Sequence, residues 1–269
     1  MDAIDLIKSG KLTEARSQLV DRLKKAPTDT GARALLFQVL VFFGEWDKAQ
    51  RHMEIAATQN PQQDIGAAIY GNLFQAEKER SRVARGETRP TFLPEVPEYS
   101  EAYFEAMALL TANQPDLART KFEQLLGTRP PIRGTVNGEP FEGFQDTDTT
   151  LLCFIEAIEY ERYLWIPVEY IRELVIMPPK TLLDLVWAKG RITTWEGLTM
   201  GCFFPALYPD SFSVDDDRIR LGRMTDWQPM GGGFTRAVGQ HVFQVGEHDV
   251  SIFELGETLF SLSAIGSER

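Results

Sequence analysis

A chain of 269 residues, 43% hydrophobic and 25% charged, has room for one large or two ordinary domains and enough apolar residues to bury a real core. Its net charge of −11 argues against the basic footprint that nucleic acid demands, and its longest largely apolar run, 34–43, falls far short of the roughly 20 residues of a membrane span. The acidic opening Met1-Asp2-Ala3-Ile4-Asp5 lacks the charged-then-apolar pattern of a secretory leader, so a cytoplasmic location is expected.

A repeat organises the first half. Gly10-Lys11-Leu12-Thr13-Glu14-Ala15 returns 34 residues later as Gly44-Glu45-Trp46-Asp47-Lys48-Ala49, and a third copy starts at Pro115-Asp116-Leu117-Ala118. Ala15, Ala49 and Ala118 each precede a proline (Pro27, Pro61, Pro130) by 12 residues. Alanine lets two helix axes approach. Gly10 and Gly44 suit a left-handed turn, and the proline ends the second helix. The spacing resembles the tetratricopeptide repeat and predicts helices over 2–8, 12–25, 30–43, 46–58, 64–85, 99–112 and 116–126, with 86–97 as a proline-rich loop. Stacked helix pairs leave a concave groove able to hold another polypeptide, and Gln38, Phe42, Tyr70, Phe74, Tyr103 and Met107 are its candidate lining; the alternative is that they are core.

Composition changes after Pro130-Pro131. Residues 1–131 are near neutral, with 17 Lys+Arg against 18 Asp+Glu, whereas residues 132–269 carry 11 against 21. This places a TPR-like helical domain over 1–131 and a second domain over 132–269. The latter opens with a glycine-rich polar stretch, 134–148, in which Asn137-Gly138 is a tight-turn dipeptide. Short β-like runs follow at 151–158, 163–166, 173–177, 191–195, 199–204, 241–245 and 251–254, with helical turns at 168–174 and 180–186. The expected fold class is α+β, a helical superhelix followed by a β-rich, barrel-like domain.

Chemistry-bearing residues are few. Asp146 and Asp148, two apart, could share a strand face and serve a metal or acid–base reaction, which defines an alternative reading as a metal- or small-ligand-binding enzyme; no histidine stands near them in sequence. Loop capping is the commoner use of such a pair. His52, His241 and His248 have no ligand-like spacing, Cys153 and Cys202 sit in apolar surroundings, Gly231-Gly232-Gly233 reads as a turn, and Asp215-Asp216-Asp217 as a solvated one. No cofactor or metal is expected. A structural reading makes the second half a docking or dimerisation platform with Trp165, Trp187 and Trp227 as core.

A series of spaced motifs in the second half is more specific. Asn137-Gly138 with Phe141, Phe144, Asp146 and Asp148 begins it. Tyr163-x-Trp165-x-Pro167 and Pro179-Lys180-x-Leu182-x-Asp184-Leu185-x-Trp187 continue it, and then come Phe204-Pro205-x-Leu207-Tyr208-Pro209, Leu221-Gly222-Arg223 and Thr225-Asp226-Trp227. This order resembles the ImpE/TagJ family, also called SciE-type proteins, accessory components of bacterial type VI secretion systems. The helical repeats match that family's N-terminal part, so the resemblance spans nearly the whole chain. It implies a non-enzymatic cytoplasmic adaptor that binds the N-terminal helix of the small contractile-sheath subunit and helps sheath assembly or recycling by the unfoldase.

Overall fold

The computed structural model describes residues 1–59 and 64–261. Among the described residues, seven helices fill the first half. They are α1 (Ala3–Lys8), α2 (Leu12–Lys25), α3 (Thr30–Val41), α4 (Trp46–Gln59), α5 (Asp64–Ala84), α6 (Ser100–Thr111) and α7 (Pro115–Thr128). Several boundaries have a local cause. Asp2 and Asp29 accept from the backbone N–H of Asp5 (2.8 Å) and Ala32 (2.9 Å), capping α1 and α3. Gly10 and Gly44 turn the chain with positive φ, as the repeat requires. Any Cβ at Gly44 would lie 2.5 Å from the ring of Phe212, so the small residue also admits the second half. Ala15, Ala49 and Ala118 are fully buried, as expected of helix-crossing positions. Pro61 lies outside the described residues.

The chain then forms strands β2 (Arg133–Val136), β3 (Glu139–Glu142), β4 (Phe144–Asp146), β5 (Phe154–Glu159), β6 (Arg162–Pro167), β7 (Ile171–Ile176), β8 (Trp187–Thr194) and β9 (Thr199–Pro205); β1 (Thr91–Phe92) precedes them in the loop after α5. A one-turn helix α8 (Asp217–Arg220) leads to β10 (Thr225–Gly231), β11 (Phe234–Gly239), β12 (Val242–Val245), β13 (His248–Ser251) and β14 (Glu257–Ser261). Nine strands form one sheet in the order β1-β6-β5-β9-β8-β7-β14-β2-β3, with a three-stranded sheet β13-β12-β4 and the ribbon β10-β11 beside it. The large sheet ends at β1 and β3, so the barrel-like expectation is corrected: the sheet is open. The mixed α+β class stands. Residues 251–254 do not extend a strand either, because Ser251 and Glu254 close a capping box over a short 3₁₀ turn, Ile252–Glu254. Asn137 and Gly138 form the β2–β3 turn with positive φ at both positions.

Both faces of the sheet's centre are covered, and the residues alternate accordingly. On β5 and β6, Phe154, Ile158, Tyr163 and Trp165 join a core shared with the helices. Their neighbours Ile155, Ala157, Leu164 and Ile166 face a second core with Phe144, Phe243 and Val245 of the small sheet. Double coverage explains why these strands read as continuous apolar runs.

The second half also clasps the first hairpin. Asp217 accepts from the backbone N–H and the hydroxyl of Thr13 at the start of α2, both at 2.8 Å. Arg223 donates to the carbonyls of Ile7 and Lys8 at the end of α1, both at 3.0 Å.

Candidate functional site

The helices meet the strands along α5. It carries Tyr70, Phe74, Glu77 and Arg80 towards the sheet. Trp187, at the start of β8, packs its indole among Trp46, Tyr70 and Phe74 with ring centroids 6.0–6.2 Å apart, and donates from Nε1 to Glu77 Oε1 at 2.9 Å. Arg80 forks onto Glu156 of β5, Nε to Oε1 at 2.8 Å and Nη2 to Oε2 at 2.7 Å, and Nη2 also reaches the carbonyl of Leu207.

Glu156 continues the network. It accepts from the Tyr163 hydroxyl, which itself accepts from Trp165 Nε1 at 2.6 Å. His241 bridges two carboxylates, with Nδ1 3.1 Å from Asp146 Oδ2 and Nε2 3.0 Å from Glu156 Oε2. Tyr208 stacks on its ring and donates to Asp146 Oδ1 at 2.7 Å. Burial raises the Glu156 pKa, but the charge and hydrogen bonds of Arg80, aided by His241, outweigh it and hold the carboxyl far below its usual range. Burial likewise opposes a charge on His241, yet its hydrogen bonds to Asp146 and Glu156 leave its pKa above the ordinary value. Burial, together with the nearby Asp148, pushes Asp146 up although His241 opposes it.

Asp146 and Asp148 therefore have a neighbouring histidine, His241, which sequence spacing hid. They are not an open acid pair. Asp146 Oδ1 also accepts from Asp148 N–H; Asp148 accepts from the N–H and hydroxyl of Thr150 and the N–H of Ala237, and faces Arg236 at 3.7 Å. Their oxygens are committed to closing this turn. The void beside His241 and Glu156 measures about 10 Å³, room for one water at most and none for a substrate. Among the described residues no three histidine, cysteine or acidic side chains could hold a metal ion.

Past Arg80 the two halves part. Val83, Ala84 and Gly86 of α5 and its following turn, Phe104, Met107 and Ala108 of α6, and Thr150, Tyr163, Trp165 and Pro209 of the strand half enclose a cleft of about 720 Å³. Glu156 lies at its floor, and Arg85, Arg89 and Arg236 at its lining. Arg89 lies over the Phe104 ring at 4.3 Å. An apolar cavity of this size with a few converging polar groups has the make-up of a binding site.

The six candidate groove residues fare unequally. Phe42, Phe74 and Tyr103 are fully buried, and the expectation that they line an open groove is corrected: the molecule's own strand half fills that concavity. Tyr103 packs edge-on against Phe154 and Trp165 and donates to the Thr149 carbonyl at 3.0 Å. Tyr70 is half-buried against Trp187, and half-buried Gln38 bonds within its own helix. Met107 alone among them lines the cleft.

The motif residues separate into several places. Asp146, Asp148, Trp165, Trp187 and Tyr208 surround the buried charges, and Pro209 lies beside the cleft. Asn137 accepts from Glu257 N–H and donates to the Glu254 carbonyl, with Gly138 in the adjacent turn and Phe141 against Phe144 and Phe260. Pro167 and Pro205 close buried strands, while Asp226 and Trp227 lie on β10. Trp227 is 38% exposed, so it is not core as Trp165 and Trp187 are. Glu77, Arg80 and Glu156 escape sequence reading, which also gives His241 no role; the signal for Glu77 and Arg80 is a charged i, i+3 pair on the apolar face of α5.

The family model described as ImpE protein matches residues 138–258. Over those residues the chain is similar to the ImpE family. The match begins at the β2–β3 turn and ends within β14. Beyond it, the type VI secretion system accessory component TagJ of Pseudomonas aeruginosa is 28% identical over 260 residues, covering 97% of this chain and 91% of that protein. The crystal structure of a Vibrio parahaemolyticus protein superposes with a TM-score of 0.85 at 20% identity, covering 97% of this chain and 98% of that one, a likeness of fold.

Proposed function

We propose that this chain is a cytoplasmic accessory protein of a type VI secretion system that works by holding a polypeptide rather than by catalysis. The observation that carries the reading is the similarity to TagJ across 97% of the chain, helices included. The helices act as a TPR-like array over 1–131, and 132–269 is the ImpE-type unit that closes against it. The ligand is the N-terminal helix of the small contractile-sheath subunit, and the outcome is control of sheath assembly or of its recycling by an unfoldase.

The cleft between α5, α6 and β6 is the docking place we assign. Phe104, Met107 and Ala108 offer an apolar wall to one face of an amphipathic helix. Arg85, Arg89 and Arg236 suit carboxylates flanking that face. Calorimetric titration of the full chain with the sheath subunit's N-terminal peptide tests this. Binding is expected, weakened by Met107→Glu; no heat at high micromolar peptide would overturn the function, and binding indifferent to Met107→Glu would overturn the place.

A further inference from the structure

A second cleft, of about 800 Å³, opens where four loops meet on another part of the molecule. The segment Pro94–Tyr99, the end of α7 with Arg129, the turn at Glu169–Tyr170 and the β8–β9 turn with Trp195 and Glu196 enclose it. Its charge is opposite to that of the first: Glu95, Glu98, Glu169 and Glu196 line it against one arginine. Arg129 is spoken for, bonded to Glu169 at 2.5 Å and lying 5.3 Å from the centre of the Tyr99 ring. It shows how an aromatic ring and a carboxylate together hold a guanidinium here. Among the described residues, Glu95, Glu98 and Glu196 have no cationic partner.

Two hydroxyls add an independent sign. Buried polar atoms are nearly always hydrogen-bonded, and those that are not call for a reason. Of the four without a hydrogen bond among the described residues, two belong to side chains lining this cleft: Thr194 Oγ1, on a residue 1% exposed, and the Tyr99 hydroxyl. Tyr99 faces the Glu169 carboxylate without making a well-formed bond to it. The field of the carboxylates is felt at Tyr170, whose pKa is raised by burial and then by Glu95, Glu169 and Glu98. No trio of acids is gathered closely enough for a metal ion among the described residues, so the chemistry points to an extended organic cation.

We propose that this cleft is a second binding site and takes a basic segment of a partner polypeptide, an arginine or lysine side chain resting against Tyr170 and Trp195 with its charge among Glu95, Glu98 and Glu196. The volume exceeds what one side chain needs and falls within the roughly 300–1,000 Å³ of sites that enclose a whole ligand. With an arginine-lined cleft elsewhere, the chain would hold two segments of opposite charge at once.

The probe is a fluorescein-labelled tri-arginine peptide, titrated by anisotropy against the full chain at low salt. The triple variant E95Q/E98Q/E196Q should weaken binding roughly tenfold. The control E139Q/E247Q/E257Q removes the same charge from residues outside the cleft and should change affinity less than about twofold if attraction to the acidic chain at large is minor. Trp195→Ala and Thr194→Val leave the net charge alone and should each weaken the peptide several-fold, with melting temperatures recorded alongside. Equal losses in both triple variants, an unaffected Trp195→Ala, or no binding to the wild type would each overturn the site. A Thr194→Val protein that binds normally and melts higher would remove the hydroxyl from it.

Discussion

Two stretches of one interface, both made where α5 faces the strands, do opposite things. Between Tyr70 and Arg80 the interface is sealed: Trp187 fills the space between aromatic rings, and each buried charge meets a partner of opposite sign. From Val83 onward it opens into a cleft whose apolar walls stay half-covered and two of whose arginines keep to surface acids, Arg85 to Glu87 and Arg89 to Glu101. The difference teaches where charge serves architecture and where it serves recognition. A fully partnered charge in a dry interior fixes one arrangement of its neighbours, and losing one partner strands the other. A charge at a wet rim is cheap to re-pair, which is what an exchangeable guest needs.

Substitutions should separate the two stretches. Arg80→Ala leaves Glu156 and Glu77 buried without their cation, and should cost about 3–5 kcal/mol in urea unfolding. A loss under about 1 kcal/mol, the range of an exposed pair, would mean that the seal is not what it looks like. Trp187→Ala, which empties the centre of the aromatic group, should cost about 3–5 kcal/mol and lose cooperativity between near-ultraviolet and far-ultraviolet signals. In the open stretch, Phe104→Ala should weaken the sheath peptide by about 1–3 kcal/mol if it is a hot spot. Its effect on binding should exceed its effect on melting.

The pH response belongs to the seal. His241 faces Asp146, Glu156, Tyr208 and, at 3.5 Å, the Arg80 guanidinium, and the carboxylates win. A histidine whose folded pKa lies above its unfolded value of about 6.5 adds stability that is fully present below that pH and is lost as pH rises through the folded pKa. Melting temperature should therefore decline as pH climbs above about 6.5, and His241→Asn should flatten that decline. A slope unchanged in the variant would place the titration elsewhere. Smallest of all, Arg89→Ala should cost less than about 1 kcal/mol of peptide affinity, and the difference should vanish in high salt.

Much of the helical half was legible because its signals are local. Gly10, Gly44, Ala15 and Ala49 state turn and crossing within one repeat, and the predicted helix limits fall within about two residues of those observed. Strands β2, β3 and β14 at one end of the large sheet and the ribbon β10-β11 were not, since their polar, glycine-containing segments alternate weakly, and β14 finds its partners β2 and β7 far away in sequence. The seal was invisible for a similar reason: Arg80 stands 76 residues from Glu156 and 161 from His241. The motifs did mark the right neighbourhood, through Asp146, Trp165, Trp187 and Tyr208, without disclosing that their work there is architectural. The groove expectation failed because periodicity says which residues face inward and nothing of what covers them.

The clasp between Asp217, Arg223 and the first helical hairpin bears on how the chain emerges from the ribosome. The N-terminus of α2 and the C-terminus of α1 wait for partners 204 to 216 residues further on. During synthesis the opening hairpin must thus pass through a long interval with its terminal groups bonded to water, and its last contacts form only once most of the chain exists. A fragment cut after residue 131 should be produced as a fraying bundle that exposes Phe74 and Tyr103, whereas limited proteolysis of the full chain should spare that same hairpin.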